Sequence, residues 1–142
     1  MASNQVTSLA KKISLSLLII LLVIITDQVL KNIAPKYLFV SCNKGVAFGI
    51  GISGLFLSVI VLGLLLYLLL TAKSKVLIFS LAMIFGGGVS NLIDRMSIGC
   101  VRDFISIGFF PSFNLADVLI MLGVILILIE MIFVKKIGKD EI

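Results

Sequence analysis

Long apolar runs over 13–26, 46–72, 76–93 and 104–129 alternate with short segments that hold the charged and amide residues. A helix needs about 20 residues to cross the hydrocarbon core, so the first must extend past Asp27 toward Lys31, which puts Asp27 near one membrane surface. Glycines at 45, 49, 51 and 54 disfavour an early start for the second helix and move its core to 53–72. The fourth is expected to begin near Asn114, after Pro111, and to run to Val134. The pattern thus predicts spans at 12–31, 53–72, 76–95 and 114–134, with connections 32–52 and 96–113 on one side. The expected fold class is an all-α membrane protein. It is one integral domain over 1–142, with four transmembrane helices and a small extracytoplasmic β-like extended substructure.

Composition sharpens this picture. Hydrophobic residues fill 61% of the chain, against about 45–50% in soluble domains. The net charge of +5 comes from twelve basic residues scattered in ones and twos; a phosphate groove needs them clustered on one face, so no nucleic-acid partner is expected. Lys11, Lys12, Lys73, Lys75, Lys135, Lys136 and Lys139 fall at the N-terminus, the middle connection and the tail, which are assigned to the cytoplasm. Both termini are then inside, and Asp27, Asp94, Asp103 and Asp117 lie toward the outside. Residues 13–25 resemble the core of a cleavable secretory signal, but three further spans favour a retained helix. Leu38 to Cys42 looks like a lipoprotein processing site, yet Asp27, Lys31 and Lys36 separate it from the apolar core, so lipidation of Cys42 is not expected. Cys42 and Cys100 could form at most one disulfide; the preferred reading is two small apolar residues.

Histidine is absent, which excludes Ser-His-Asp and Cys-His catalysis and the usual zinc sites. Carboxylates beside apolar runs are costly and tend to mark function, and two aspartates become the natural acid and base. Asn91, Asp94 and Arg95 stand at i, i+3 and i+4, on one face of a third helix that continues to Arg95. That face is expected to pair Asp94 with Arg95 and leave Asn91 for a peptide or lipid oxygen. For Asp94 the preferred reading is a helix-end ion pair that orients the next loop, since an acid beside an arginine makes a poor proton donor. If 100–105 is extended, Asp103 shares a side with Val101 and Ile105, a setting that raises its proton affinity. Asp117 follows Asn114 by three residues; capping explains both without catalysis, but not a second aspartate at the same membrane level. Asp27 and Lys31 form an i, i+4 brace. Gly45 allows close backbone approach, and Asn43 could bind a peptide edge, although turn formation alone would need less. Glu130 is expected to snorkel or to pair with Lys135. Two carboxylates within about 3 Å share one proton, so one can activate water while the other protonates a carbonyl oxygen. No metal or cofactor is needed.

Asp27-Gln28-Val29-Leu30-Lys31, Asn43-Lys44-Gly45-Val46-Ala47-Phe48, Asn91-Leu92-Ile93-Asp94-Arg95, Val101-Arg102-Asp103-Phe104 and Phe113-Asn114-Leu115-Ala116-Asp117 occur in that order between the predicted helices. Together they closely resemble the lipoprotein signal peptidase, or signal peptidase II, family across essentially the whole chain. The resemblance implies a bacterial inner-membrane aspartic endopeptidase that cuts prolipoproteins just before a diacylglyceryl-modified cysteine. It implies a dyad of Asp103 and Asp117. Asn43, Asn91, Arg95 and Asn114 would serve the substrate and the cyclic-peptide inhibitor globomycin, with Asp27, Lys31, Gly45, Asp94 and Ala116 in support. Implied partners are prolipoprotein substrates and membrane lipids, with the protein as a monomer. Three departures stand out: Ser90 where glycine is usual, Val46 where alanine is usual, and a shortened segment between Asp103 and Asp117. A small proton-coupled transporter, with Lys31 or Arg95 setting affinity, is the competing reading, and a noncatalytic assembly subunit the third. Transport sites tend to lie near the bilayer midplane, whereas these acids cluster at span ends.

Overall fold

The computed structural model of the chain describes residues 2–44 and 54–140. Helix α1 covers Ala2–Ile33, α2 Gly54–Thr71, α3 Lys75–Ile98 and α4 Leu115–Asp140; strands β1, Ser41–Asn43, and β2, Val101–Asp103, form an antiparallel pair. All four helices are long and apolar enough to cross a membrane. α1 begins at Ala2 rather than near 12, because the segment ahead of its apolar window contains no glycine or proline to stop it. A single 3-10 turn, Ala34–Lys36, ends it at Pro35. The loop glycine Gly45 and its neighbour Val46 lie outside the described residues.

α3 is the helix that the others share. Within its apolar window 56% of residues are buried, against 22%, 11% and 11% for α1, α2 and α4. Lipid gives helices little hydrophobic reason to associate, so close contact depends on small residues. Gly86, Gly87 and Gly88 supply them on three sides, because successive helical residues turn by about 100°. A Cβ on Gly86 would meet Val23 of α1 at 3.0 Å, one on Gly87 the Ala116 carbonyl oxygen of α4 at 2.8 Å, and one on Gly88 Leu62 of α2 at 2.9 Å. Gly123 repeats the device from α4, where a Cβ would come within 2.8 Å of the Ser80 carbonyl oxygen.

The bundle is tied at both ends. At one end Lys12 Nζ donates to the carbonyls of Leu70 (2.8 Å) and Ala72 (2.6 Å), which satisfies the C-terminus of α2. Ser74 caps α3 by accepting from Val76 and Leu77 N–H, and its hydroxyl donates to Glu130 of α4. Glu130 therefore has Ser74 as its partner in place of the expected snorkelling; the side chain of Lys135 lies outside the described residues.

At the other end Gly99, with φ 80°, ends α3 in the left-handed conformation and turns the chain into β2. The ladder pairs Ser41 with Asp103, Cys42 with Arg102 and Asn43 with Val101. It also corrects the reading of the cysteines as separate apolar residues. Antiparallel pairing brings Cys42 and Cys100 to a Cα separation of 5.5 Å, inside the range a disulfide spans, and they are bonded. The shortened segment after β2 folds back on itself: Ile105 and Phe113 exchange backbone hydrogen bonds at 2.9 and 3.0 Å. Its tip leaves Phe109 99% exposed.

Gly87→Ala should destabilise the protein by about 1–3 kcal/mol through overpacking against a backbone oxygen. Gly63→Ala should be neutral or slightly stabilising, since nothing lies within 4 Å of a Cβ there. Thermal unfolding of both variants in detergent checks the contrast.

Candidate active site

Five elements meet at the β1–β2 end. α1 contributes Asp27, Gln28 and Lys31, one helical turn presenting its polar side inward. Asp27 and Lys31 have no exposed surface and form an ion pair at 2.7 Å. Lys31 Nζ also donates to Asn91 Oδ1 at 2.8 Å and lies 3.4 Å from Asp94 Oδ2. The second oxygen of Asp27 accepts the backbone N–H of Ala116 at 2.9 Å, one of the orphan donors at the start of α4. Ala116 is fully buried at the Gly87 contact.

Asp94 lies one residue, hence about 100°, away from Arg95, so the two point in different directions and the expected pair between them is not made. Its partner is Arg102 of β2. Arg102 Nη2 donates to Asp94 Oδ1 at 2.8 Å and the Arg102 backbone N–H to Oδ2 at 2.9 Å. An ion pair that orients the loop after α3 is present, with a different arginine. Arg95 shares its face with Asn91, and both line an apolar cleft of about 540 Å³ between α2, α3 and α4, together with Asn43, Leu57, Leu62 and Ile120. The Arg95 Nε is buried, with no hydrogen-bond partner among the described residues.

Asn91 does not stand free for a ligand oxygen. Its Oδ1 accepts from Lys31 and from Asn114 Nδ2 (3.1 Å), and its Nδ2 donates to Asp117 Oδ1 at 2.8 Å. The reason is the buried ammonium: lysine only donates, so the amide oxygen must face it and the amide nitrogen must face away. Asn114 joins the two remaining aspartates. Its Nδ2 donates to Asp103 Oδ1 at 2.7 Å, its Oδ1 accepts from Asp117 N–H at 3.0 Å, and its own N–H donates to Asp117 Oδ2 at 3.2 Å. The last two bonds are a reciprocal cap on α4. Asn43 Nδ2 donates to Asp103 Oδ2 at 3.1 Å.

Asp103 is 2% exposed, on the inward side of β2 with Val101. Burial raises its proton affinity above the ordinary value; the Asn43 and Asn114 hydrogen bonds oppose this, the neighbouring charge of Asp117 adds to it, and Lys31 opposes it. Four participants, Ser90, Gln28, Arg102 and Asn32, had no assigned role in the sequence. Ser90 Oγ donates to Asp27 Oδ2 at 2.7 Å, Gln28 Nε2 donates to Ser90 Oγ (3.0 Å) and Asp94 Oδ1 (3.1 Å), and Arg102 Nη1 reaches Asn32 Oδ1 at 2.7 Å. Polar residues at 27, 28, 31 and 32 inside an apolar helix were the available signal for Gln28 and Asn32.

The profile of the family described as Signal peptidase (SPase) II matches residues 19–133. The chain belongs to the signal peptidase II family. The family is one of aspartic-type peptidases. A lipoprotein signal peptidase of Staphylococcus carnosus is 35% identical, over 89% of this chain and 96% of its own. A lipoprotein signal peptidase of Caldanaerobacter subterraneus subsp. tengcongensis is also 35% identical, over 84% and 97%. Two solved structures of a bacterial membrane enzyme, obtained by the in meso method, are 30% identical with TM-scores of 0.73 and 0.75; each aligns over 84% of this chain, and over 88% and 93% of its own. Four apolar helices in this family fit a multi-pass bacterial membrane protein.

Lys31→Met should destabilise the protein by about 3–5 kcal/mol, because it strands Asp27 as an uncompensated buried charge. Adding Asp27→Asn should recover part of the loss, since among the described residues Asp27 pairs with no other cation. Melts in which Lys31→Met matches the parent would remove Lys31 from this role.

Proposed function

We propose that Asp103 and Asp117 are the catalytic dyad of a peptidase that cleaves prolipoproteins immediately before a diacylglyceryl-modified cysteine. The observation that carries this reading is Asn114, which bonds both carboxylates while each keeps a second amide partner, Asn43 for Asp103 and Asn91 for Asp117. On this reading the pair shares one proton, and burial, which raises the proton affinity of Asp103, favours Asp103 as the acid. Asp117 then takes a proton from water as the water oxygen attacks the scissile carbonyl. Asp103 protonates the carbonyl oxygen, and collapse of the tetrahedral intermediate returns a proton to the leaving amine. The apolar cleft receives the signal helix from within the bilayer, and Arg95, whose buried Nε has no partner among the described residues, and Asn43 meet the substrate backbone at its polar end. Asn91 and Asn114 act mainly by holding the acids. Globomycin is the expected inhibitor, and the enzyme works as a monomer.

The same reading puts the site on the extracytoplasmic face of the inner membrane with both termini cytoplasmic. Two independent features support it. Lysines gather at the opposite end, where Lys12 caps α2, and the disulfide at the Asp103 end suits an oxidising compartment. Asp27, Asp94 and Asp117 all lie at one end of their helices, which favours interfacial hydrolysis over midplane transport.

Asp103→Asn and Asp117→Asn should each lower cleavage by about 10²–10⁴-fold or more while the protein remains inserted. Purified enzyme should cut a diacylated precursor and spare its non-lipidated form; equal cleavage of both would exclude the lipid requirement. Turnover should fall at high pH with a midpoint above the ordinary aspartate value of about 3.9, as the shared proton is lost. Asp94→Asn should reduce accumulation or substrate affinity more than turnover, and normal binding with no turnover would count against that role.

A further inference from the structure

Among the described residues, β1 packs chiefly on β2. It is three residues long, with Cys42 and Asn43 exposed, and the chain between its cysteine and that of its partner segment is long, a separation of 58 residues. Isolated two-stranded ladders are marginal. β2, in contrast, is anchored: Val101 and Asp103 are buried, and Arg102 is bonded to Asp94 through both backbone and side chain. Yet it is β1 that delivers the Asn43 amide to Asp103 at 3.1 Å. The Cys42–Cys100 bond joins the exposed strand to the start of the anchored one.

We infer that the Cys42–Cys100 disulfide is a positioning device, holding β1 on β2 so that Asn43 stays on Asp103 and turnover depends on an oxidised extracytoplasmic face. The inference rests on the reading of Asp103 as catalytic. Forming the bond takes two electrons and two protons from two thiols. The acceptor is a disulfide-bearing thiol oxidoreductase, whose own disulfide is left as a dithiol after exchange through a mixed disulfide. Reduction runs the same exchange in reverse, and Cys42 is the sulfur open to attack, since Cys100 is only 5% exposed. Releasing β1 has a chemical consequence beyond loss of rigidity. A donor to a carboxylate favours its ionised form, so losing Asn43 leaves Asp103 holding its proton more tightly. The charged groups that act on Asp103, namely Asp117 and Lys31, sit on α4 and α1 and stay where they are.

The experiment compares full-length Cys42→Ser, Cys100→Ser, Asn43→Ala and the Cys42→Ser/Asn43→Ala double variant with the parent, in membranes, for turnover, KM and pH profile on a diacylated precursor. Asp103→Asn and the parent treated with a water-soluble dithiol complete the set. Expected are a fall in turnover of about 10- to 100-fold, as for a small misplacement of a catalytic group, with a smaller change in KM. The alkaline limb should move to higher pH in both cysteine variants, in Asn43→Ala and in the reduced parent, and the double variant should add nothing further. Reoxidation should restore the reduced parent. Cysteine variants and reduced parent that match the untreated enzyme, while Asp103→Asn is inactive, would overturn this inference and leave the dyad standing. An active Asp103→Asn would remove both. If a cysteine variant fails to accumulate, the reduced parent decides alone: an unmoved alkaline limb overturns the proposal.

Discussion

An ammonium group sealed from solvent imposes order on everything around it. Lys31 has only hydrogens to give, so each neighbour must turn an oxygen toward it, and Asp27, Asp94 and Asn91 do. Two carboxylates and an amide offset a desolvation cost that would otherwise amount to several kcal/mol. The polarity then propagates. Asn91, with its oxygen committed, has only a nitrogen for Asp117; Asn114, which must donate to Asn91 and Asp103, has only an oxygen left for the Asp117 N–H. The orientation of the two amides that bond Asp103 and Asp117 is therefore fixed from α1.

Such a network needs backbones closer than ordinary side chains allow. Gly86, Gly87 and Gly88 let α1, α4 and α2 approach α3 on three sides, and the Gly87 contact sets Ala116 where its N–H can reach Asp27. Packing in the middle of the bundle and polar chemistry at its end are in this sense one arrangement: the glycines determine the separation across which the polar side chains must bond. Ser90 shows how tight that fit is. Its hydroxyl occupies the place beside Asp27 and Gln28 that a residue without a side chain would leave open, and it gives Asp27 a donor.

The four helices were legible because apolar runs of membrane length have few alternatives, and the candidate dyad because carboxylates at the ends of such runs demand a reason. What escaped were pairings between elements. Asp94 looked matched to Arg95 by adjacency, but helical geometry separates neighbours by about 100° and a turn at Gly99 returns Arg102 instead. Asn91 looked available because nothing in the sequence says that Lys31, far away along the chain, is buried beneath it. Cys42 and Cys100 looked unrelated because only the register of a three-residue ladder brings them together. The start of α1, ten residues ahead of the expected span, differs for a plainer reason, since hydropathy marks where lipid begins and not where helical hydrogen bonding does.

α3 also carries two gradients along its length, and they explain how one helix serves both lipid and water. On the side toward α1 it reads Gly86, Ser90, Asp94; on the side toward the cleft it reads Ile84, Gly88, Asn91, Arg95. Both series run from small or apolar to charged at steps of three or four residues, which is one turn of helix. The first gradient is spent inside the protein, where Asp94 meets Lys31 and Arg102. The second opens on the cleft, which Ile84 and Gly88 line at its apolar part and Arg95 at its polar end. Turning the helix by one residue, about 100°, would carry Asp94 away from Lys31 and Arg102. The rotation of α3, held by three glycines against three neighbours, thus decides that Asp94 meets Lys31 and Arg102 while Arg95 faces the cleft.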